Sequence, residues 1–192
     1  MYKGIIFDLD GVICFTDKFH YEAWKRLADK LGIHFDEKIN DRLRGVSRMA
    51  SLEIILERSN RSFTQQEKEA LAEEKNNDYR ELLKTMTTAD LSDDVRGTLS
   101  ELRRRGYKLA IGSSSKNTKF ILERIGLGDF FDAIADGTDI TRSKPDPEVF
   151  LTAASKLKAD PADCAVVEDA KAGIEAAKAA GMTALALFGD AK

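Results

Sequence analysis

Gly4-Ile5-Ile6-Phe7-Asp8-Leu9-Asp10-Gly11 opens the chain with a run that suits a buried strand, then two carboxylates two positions apart, then a strong turn signal. An apolar run this short, closed by turn residues, is the pattern of a parallel strand covered on both faces. Comparable runs stand far along the chain at Lys108-Leu109-Ala110-Ile111, Ala165-Val166-Val167 and Thr183-Ala184-Leu185-Ala186-Leu187. Asp132-Ala133-Ile134-Ala135 is a weaker one. Helical segments with clear punctuation lie between the later strands. Asp146-Pro147-Glu148 sets a cap residue, a proline and an acid at a helix start. Alanine-rich Ala170 to Ala180 stops at Gly181, a natural residue to follow a helix. Alternating strands and helices predict an α/β fold with a doubly wound, Rossmann-like parallel sheet.

The first strand breaks this alternation. After Asp10-Gly11 the sequence turns helical and stays so to residue 87. Phe19, Ala23, Trp24, Leu27 and Leu31 recur at helical spacing, and Thr64-Gln65-Gln66-Glu67 is a capping box opening a helix that runs through Met86. Residues 14–87 therefore read as an all-helical cap domain inserted into a core made of residues 1–13 and 88–192. The insertion leaves the carboxyl end of the first strand, the edge of an open α/β sheet where ligands bind, so it is placed to act as a lid.

Bulk properties narrow the function classes. The chain has 192 residues, 43% hydrophobic and 33% charged, enough for one substantial core with a smaller second module. Its 30 basic and 33 acidic residues are interspersed and leave a net charge of −3, which argues against a nucleic-acid binder built on a broad basic face. No apolar run approaches the roughly 18 residues that span a membrane, and the start carries too short a run for a signal peptide. Cys14 and Cys164 stand far apart without metal-ligand spacing and read as free thiols of a reducing compartment. A cytoplasmic monomer acting on a small molecule, with no nucleic-acid or membrane partner, is expected.

The candidate chemistry sits at strand ends. If the chain is still extended there, Asp8 and Asp10 leave the same side of it and would repel unless a cation sits between them. Glu168-Asp169 is a second acidic pair at another predicted strand end. Magnesium takes oxygen ligands and keeps waters, so one or two carboxylates with a phosphate would make a fitting shell. Asp169 can equally be the cap of the helix that follows. Ser113-Ser114-Ser115-Lys116-Asn117 lies between a strand and a helix, where hydroxyls and amides suit a phosphate, although a serine-rich turn is ordinary in itself. Lys144, before Pro145-Asp146-Pro147, offers a fixed cation or simply a surface charge. In the insertion, His20 lies within the apolar stripe and Lys75 shares a face with Leu71, Tyr79 and Leu82; each fits a packed residue or a contact to an anion. Ser47 suits a helix N-cap and Gly45 loosens the turn before it. Arg48 then stands in the first helical turn, unfavourable for the dipole unless an anion binds.

Asp8, Asp10, Ser113, Lys144, Glu168 and Asp169, in this order and context, resemble the motifs of the haloacid-dehalogenase-like superfamily. The resemblance implies aspartyl-phosphate chemistry, in which Asp8 attacks phosphorus and Asp10 serves as acid and base. It further implies that Ser113 and Lys144 hold the phosphoryl oxygens, and that Mg2+ is held by Asp8, the Asp10 carbonyl and Asp169, assisted by Glu168. Within the superfamily the chain is similar to the β-phosphoglucomutase family over nearly its whole length. The similarity runs through Phe7-Asp8-Leu9-Asp10-Gly11-Val12-Ile13, Thr16, His20, Ala23-Trp24, Gly45-Val46-Ser47-Arg48, Ser51-Leu52, Lys75-Asn76, Ser115-Lys116-Asn117, Ser143-Lys144-Pro145 and Glu168-Asp169.

That similarity implies interconversion of β-D-glucose 1-phosphate and glucose 6-phosphate through a bisphosphate. The substrate-binding set it implies is His20, Trp24, Gly45, Val46, Ser47, Arg48, Ser51 and Lys75 in the insertion, with Ser114, Ser115, Lys116 and Asn117 in the core. Arg48 would grip the phosphate that is not being transferred, Lys75 would contact the sugar, and His20 would couple binding to closure. Cys14-Phe15 stands where the family often has a polar pair, so a different hinge is expected. The family usually adds a short strand and helix beyond the point where this chain stops, so one sheet edge is expected to be incomplete. A sugar-phosphate or phosphoglycolate-type phosphatase and a catalytically silent phospho-ligand binder are the alternatives. His20, Arg48 and Lys75 argue against the first, and Asp8 with Asp10 against the second.

Overall fold

The computed structural model describes residues 2–43 and 46–187. The chain divides into two compact units, Met1–Phe15 with Met86–Lys192, and Thr16–Thr85. β1 (Gly4–Phe7) belongs to the first unit, and α1 (Asp17–Lys30), α2 (Glu37–Asp41), α3 (Arg48–Leu56) and α4 (Gln65–Leu83) make up the second. The chain returns to the first unit through α5 (Asp93–Arg104), β2 (Lys108–Gly112), α6 (Thr118–Arg124), β3 (Ala133–Ala135), α7 (Glu148–Leu157), β4 (Cys164–Glu168), α8 (Lys171–Ala179) and β5 (Thr183–Ala186).

The first unit is the doubly wound sheet that the alternation predicted. Its strands pair in parallel in the order β3-β2-β1-β4-β5. The winding runs from β1 outward through β2 and β3, then crosses to β4 and β5 on the other side. Such a reversal opens a crevice at the carboxyl ends of the strands beside it, here β1 and β4. Ile6, Ala110 and Val166 are fully buried in one cluster with Val149, Phe150 and Ala153 of α7 and Ala176 and Ala177 of α8. Alanines on these helices let them lie close to the sheet. Gly112 ends β2 under the Phe150 ring: a Cβ there would stand 2.7 Å from Phe150 Cδ1 and 3.1 Å from Ile6 Cγ2.

Several element ends differ from the sequence expectation. β2 and β4 run on to Gly112 and Glu168, and β5 stops at Ala186. α7 has Pro147 at its cap position, with Asp146 Oδ1 accepting from the Glu148 amide at 3.0 Å. Asp169 does not cap α8: the cap position is Ala170, and Glu168 Oε1 accepts its amide at 3.0 Å. Gly181 does follow α8 with a left-handed φ of 73°. Cys14, Phe15, Met86 and Thr87 fall in the first unit.

In the helical unit α1 packs chiefly on α4. α1 buries Phe19, Ala23, Trp24, Leu27 and Ala28, and α4 buries Ala72, Lys75, Asn76, Tyr79 and Leu83. Leu31, expected in the stripe, lies just past α1 and is half-buried. The capping box forms as expected: Thr64 Oγ1 accepts from the Glu67 amide at 3.2 Å and Glu67 Oε2 from the Thr64 amide at 2.7 Å. α4 ends at Leu83, before Met86. Both cysteines are buried free thiols. No helix among the described residues is long and apolar enough to cross a membrane.

Candidate active site

Asp8 continues the line of β1, its amide donating to the Val167 carbonyl at 3.0 Å. Lys144 Nζ stands 2.5 Å from Asp8 Oδ1 and 2.7 Å from Glu168 Oε2. All three residues are buried, at 7%, 7% and 1% exposure for Asp8, Lys144 and Glu168, so this is no surface charge pattern. One ammonium between two carboxylates leaves a negative charge uncompensated away from water. Burial pushes the Asp8 carboxyl up to about 6, past the pull of Lys144 and with help from Glu168. Burial also opposes the charge on Lys144, but the two carboxylates outweigh it and raise its pKa, so the ammonium is kept. The Phe150 ring lies 4.7 Å from Nζ.

Asp8, Glu168 and Asp169 offer carboxylate oxygens that all lie within 4.8 Å of one another. Converging acids with surplus negative charge fit a hard divalent cation, which takes oxygen ligands and offsets the cost of burying them. Glu168 Oε1 is steadied by the amides of Asp169 at 3.2 Å and Ala170 at 3.0 Å. Gly173, in the first turn of α8, makes room for it, because a Cβ there would run into the Glu168 carboxylate. Gly11, at φ 86°, turns the chain after Asp10 and lies against Asp169, whose carboxylate a Cβ would strike. Asp10 is half-buried and bridges to Cys14. Its carboxylate stands outside the three-acid cluster.

Asp8 and Ser113 follow the paired residues Phe7 and Ile111 by one and two positions. Ser113 is 2% exposed, and its hydroxyl accepts from the Ser115 amide at 3.1 Å. The Ser115 hydroxyl accepts from the Asn117 amide at 3.2 Å, and Thr118 Oγ1 donates to the Ser115 carbonyl at 2.9 Å. Asn117 is buried and Lys116 exposed. Ser114 Oγ is buried without a hydrogen-bond partner among the described residues. An orphaned buried hydroxyl, in the loop that leaves the strand paired with β1, is what a ligand oxygen would satisfy.

In the helical unit a second set gathers. Lys75, 2% exposed, has Nζ 2.9 Å from His20 Nδ1, 4.6 Å from the Trp24 ring centre and 4.5 Å from that of Tyr79. His20 stacks on Tyr79 at 4.0 Å. Burial holds the His20 pKa well below 6.5, and the charges of Lys75 and Arg48 push it the same way. A neutral ring accepts from Lys75 at Nδ1 and carries its proton on Nε2. Arg48 opens α3, with Nη2 donating to Asn76 Oδ1 at 2.8 Å and Nη1 3.5 Å from Glu73 Oε2. Burial lowers its pKa. Ser47 caps α3 at the Ala50 amide, Ser51 is buried and Val46 exposed. Gly45 lies outside the described residues.

The sequence profile of haloacid dehalogenase-like hydrolases matches residues 2–181. The chain belongs to that family. It is 45% identical to the β-phosphoglucomutase of Bacillus subtilis strain 168 over 185 residues, which cover 95% of this chain and 82% of the relative. It is 34% identical to a fructose-1-phosphate phosphatase of Escherichia coli K12 over 185 residues, 96% of this chain and 95% of that one. A crystal structure of the β-phosphoglucomutase from Clostridium difficile matches with a TM-score of 0.93 at 41% identity, covering 98% of this chain and 86% of that one.

As a haloacid dehalogenase-like hydrolase, the chain holds features of its site that the sequence reading missed. Gly173 is one: glycine costs about 1 kcal/mol against alanine inside a helix, so its presence in an alanine-rich helix was a signal of close approach. Phe150 is another; nothing in an apolar helix face tells which ring will lie beside a lysine.

Proposed function

We propose that this haloacid dehalogenase-like hydrolase is a Mg2+-dependent β-phosphoglucomutase, interconverting β-D-glucose 1-phosphate and glucose 6-phosphate through β-glucose 1,6-bisphosphate. The supporting observation is that the chain carries two sets of groups suited to phosphate. One surrounds Asp8, and the other gathers Arg48 and Lys75 in the helical unit. The bisphosphate carries phosphates at both ends of a hexose.

In this reading a carboxylate oxygen of Asp8 attacks phosphorus and the bond from phosphorus to the sugar oxygen breaks. Asp10 gives a proton to that leaving oxygen, and in the return step takes one from the accepting hydroxyl. Lys144 and Ser113 hold the phosphoryl oxygens, where negative charge is spread during transfer. Asp8, Asp169 and the Asp10 carbonyl would hold Mg2+, backed by Glu168, and the ion supplies further positive charge at those oxygens. Arg48 holds the phosphate that is not reacting, with Ser114, Ser115, Lys116 and Asn117 assigned to substrate binding. Lys75, His20 and Trp24 are assigned to the sugar.

The deciding experiment follows glucose 6-phosphate and inorganic phosphate together, from β-glucose 1-phosphate with Mg2+ and a trace of glucose 1,6-bisphosphate. Glucose 6-phosphate with little free phosphate is the expected result. Free phosphate as the main product would establish the second reading, a sugar-phosphate phosphatase, which the 34% identity to the E. coli fructose-1-phosphate phosphatase favours. Arg48→Ala should lower mutase kcat/KM by about 100-fold, because the binding energy of a remote phosphate is used in the transition state. Hydrolysis of p-nitrophenyl phosphate, which has no second phosphate, should change only a few-fold. Equal losses on both substrates would sink the assignment of Arg48.

A further inference from the structure

β2 and β3 are neighbours, with Gly112 paired to Ala135, and two loops leave their carboxyl ends side by side. One is the serine-rich loop Ser113–Asn117; the other is the turn Asp136-Gly137-Thr138-Asp139. Their pairing continues past the strands: the Ser113 amide donates to the Ala135 carbonyl at 3.0 Å and the Gly137 amide to the Ser115 carbonyl at 3.1 Å. At Gly137 there is no space for a side chain. A Cβ would run into the Ser114 carbonyl and stand 2.9 Å from Lys116 Cγ and 3.0 Å from Lys116 N. Glycine is required here for close approach of two backbones.

The turn is fixed from within and from behind. Asp136, 1% exposed, accepts at Oδ1 from the Thr138 amide at 2.8 Å and from Thr138 Oγ1 at 2.6 Å. Its own amide donates to Asp139 Oδ2 at 3.0 Å. Asp139 also meets Lys156 Nζ at 2.7 Å, and the same ammonium donates to the Ile134 carbonyl at 2.8 Å. Lys156 lies on α7, so the turn is tied to its own strand and to the helix packed on the sheet. Nothing comparable holds Ser114, whose buried hydroxyl has no partner among the described residues. Its position is set by the backbone against which Gly137 lies.

We propose that the Asp136–Asp139 turn is the positioning element of the phosphate-holding loop. It sets where the Ser113 and Ser114 hydroxyls and the neighbouring amides stand, and so how tightly a phosphoryl group is gripped. This rests on reading Ser113–Asn117 as the loop that holds phosphate. Groups that bind and orient a reacting phosphoryl group lose about 100-fold when misplaced by roughly 1 Å. A turn that cannot move is therefore part of the grip.

The test uses the full chain with Mg2+, inorganic phosphate as probe, and the backbone amide resonances of Ser114 to Asn117 as readout, with kcat and KM measured alongside. In the parent, phosphate should shift those amides. A parent that shows no such shift overturns the phosphate-holding reading, and the present proposal with it, before any variant is read. Thr138 is exposed, so Thr138→Val should fold normally. Having lost the hydroxyl bond to Asp136, it should bind phosphate roughly 3- to 10-fold more weakly, with KM raised more than kcat is lowered. Thr138→Ser keeps the hydroxyl and should restore parent affinity. Gly137→Ala should lower kcat/KM by about 100-fold and weaken phosphate binding, while Mg2+ affinity at the acidic cluster stays at the parent value. Parent-like phosphate affinity in Thr138→Val, or losses of phosphate and Mg2+ affinity in step, would overturn the proposal. The Thr138 pair decides by itself if Gly137→Ala does not fold.

Discussion

Asp8→Asn should remove turnover and the phosphorylated form of the enzyme together, with kcat down by at least about 10,000-fold, and yet cost no stability at pH 8 in metal-free buffer. The amide keeps the shape of the carboxylate but cannot attack phosphorus. It also ends the burial of a surplus charge, because Lys144 then faces Glu168 alone. In the folded chain Asp8 binds its proton more tightly than in the unfolded one, at about 6 against 3.8. Its contribution therefore favours the fold at pH values below 3.8 and is lost as pH rises through about 6. At pH 8 the metal-free parent carries the whole penalty, on the order of 3 kcal/mol, and the asparagine variant does not. Thermal melts at pH 5 and pH 8 in chelator should show the variant gaining on the parent at the higher pH. Mass measurement after exposure to glucose 1,6-bisphosphate should find phosphate on the parent alone. A phosphorylated Asp8→Asn chain would remove Asp8 from its role, and a variant melting well below the parent at pH 8 would deny the surplus charge.

Lys144→Met has the opposite signature. Asp8 and Glu168 are then left buried and facing each other with no cation between them. Breaking a buried ion set by removing one partner costs about 3–5 kcal/mol, and for a chain of this size that lowers the melting temperature by roughly 10 °C. The loss should be largest at high pH without metal. Lower pH should shrink it by protonating a carboxylate, and Mg2+ should shrink it by supplying positive charge. Mg2+ should accordingly raise the melting temperature of Lys144→Met more than that of the parent. Adding Glu168→Gln to the variant should recover most of the loss. Turnover should fall by about 100- to 1,000-fold even with saturating Mg2+, because in the proposed mechanism the lysine holds a phosphoryl oxygen in the transition state. A variant that melts with the parent at pH 8 in chelator would show that Lys144 does not carry the charge balance of Asp8 and Glu168.

The strand ends were legible because a parallel sheet sends the carboxyl ends of its strands to one edge. Asp8, Glu168 and Asp169 each stand just past an apolar run, so their convergence followed from topology, and Ser113 leaves the end of the strand paired with β1. What joins them was not legible. That one ammonium spans Asp8 and Glu168, or that Gly11 lies against Asp169, depends on approaches between residues far apart in sequence. The Asp169 cap expectation failed because α8 starts one residue later, which puts Ala170 at the cap position. In the helical unit, periodicity placed His20 and Lys75 on inward faces but could not tell that α1 and α4 bring them to 2.9 Å. Met86 looked like the tail of a cap helix, yet it is 1% exposed and its carbonyl accepts from Arg124 Nε at 2.9 Å and Nη2 at 2.7 Å, which draws it into the core.

The ion set around Lys144 also has a history within each molecule. Asp8 leaves the ribosome more than 130 residues ahead of Lys144, and further still ahead of Glu168 and Asp169. Until β4 docks beside β1, Asp8 is an ordinary hydrated acid on a nascent strand, with no cation to hold it and no companions to gather metal. On the proposed mechanism a half-made chain is therefore chemically mute, and a prematurely terminated one should not be trapped as a phosphoprotein. Completion of the sheet is the event that brings Asp8 its cation and its fellow acids.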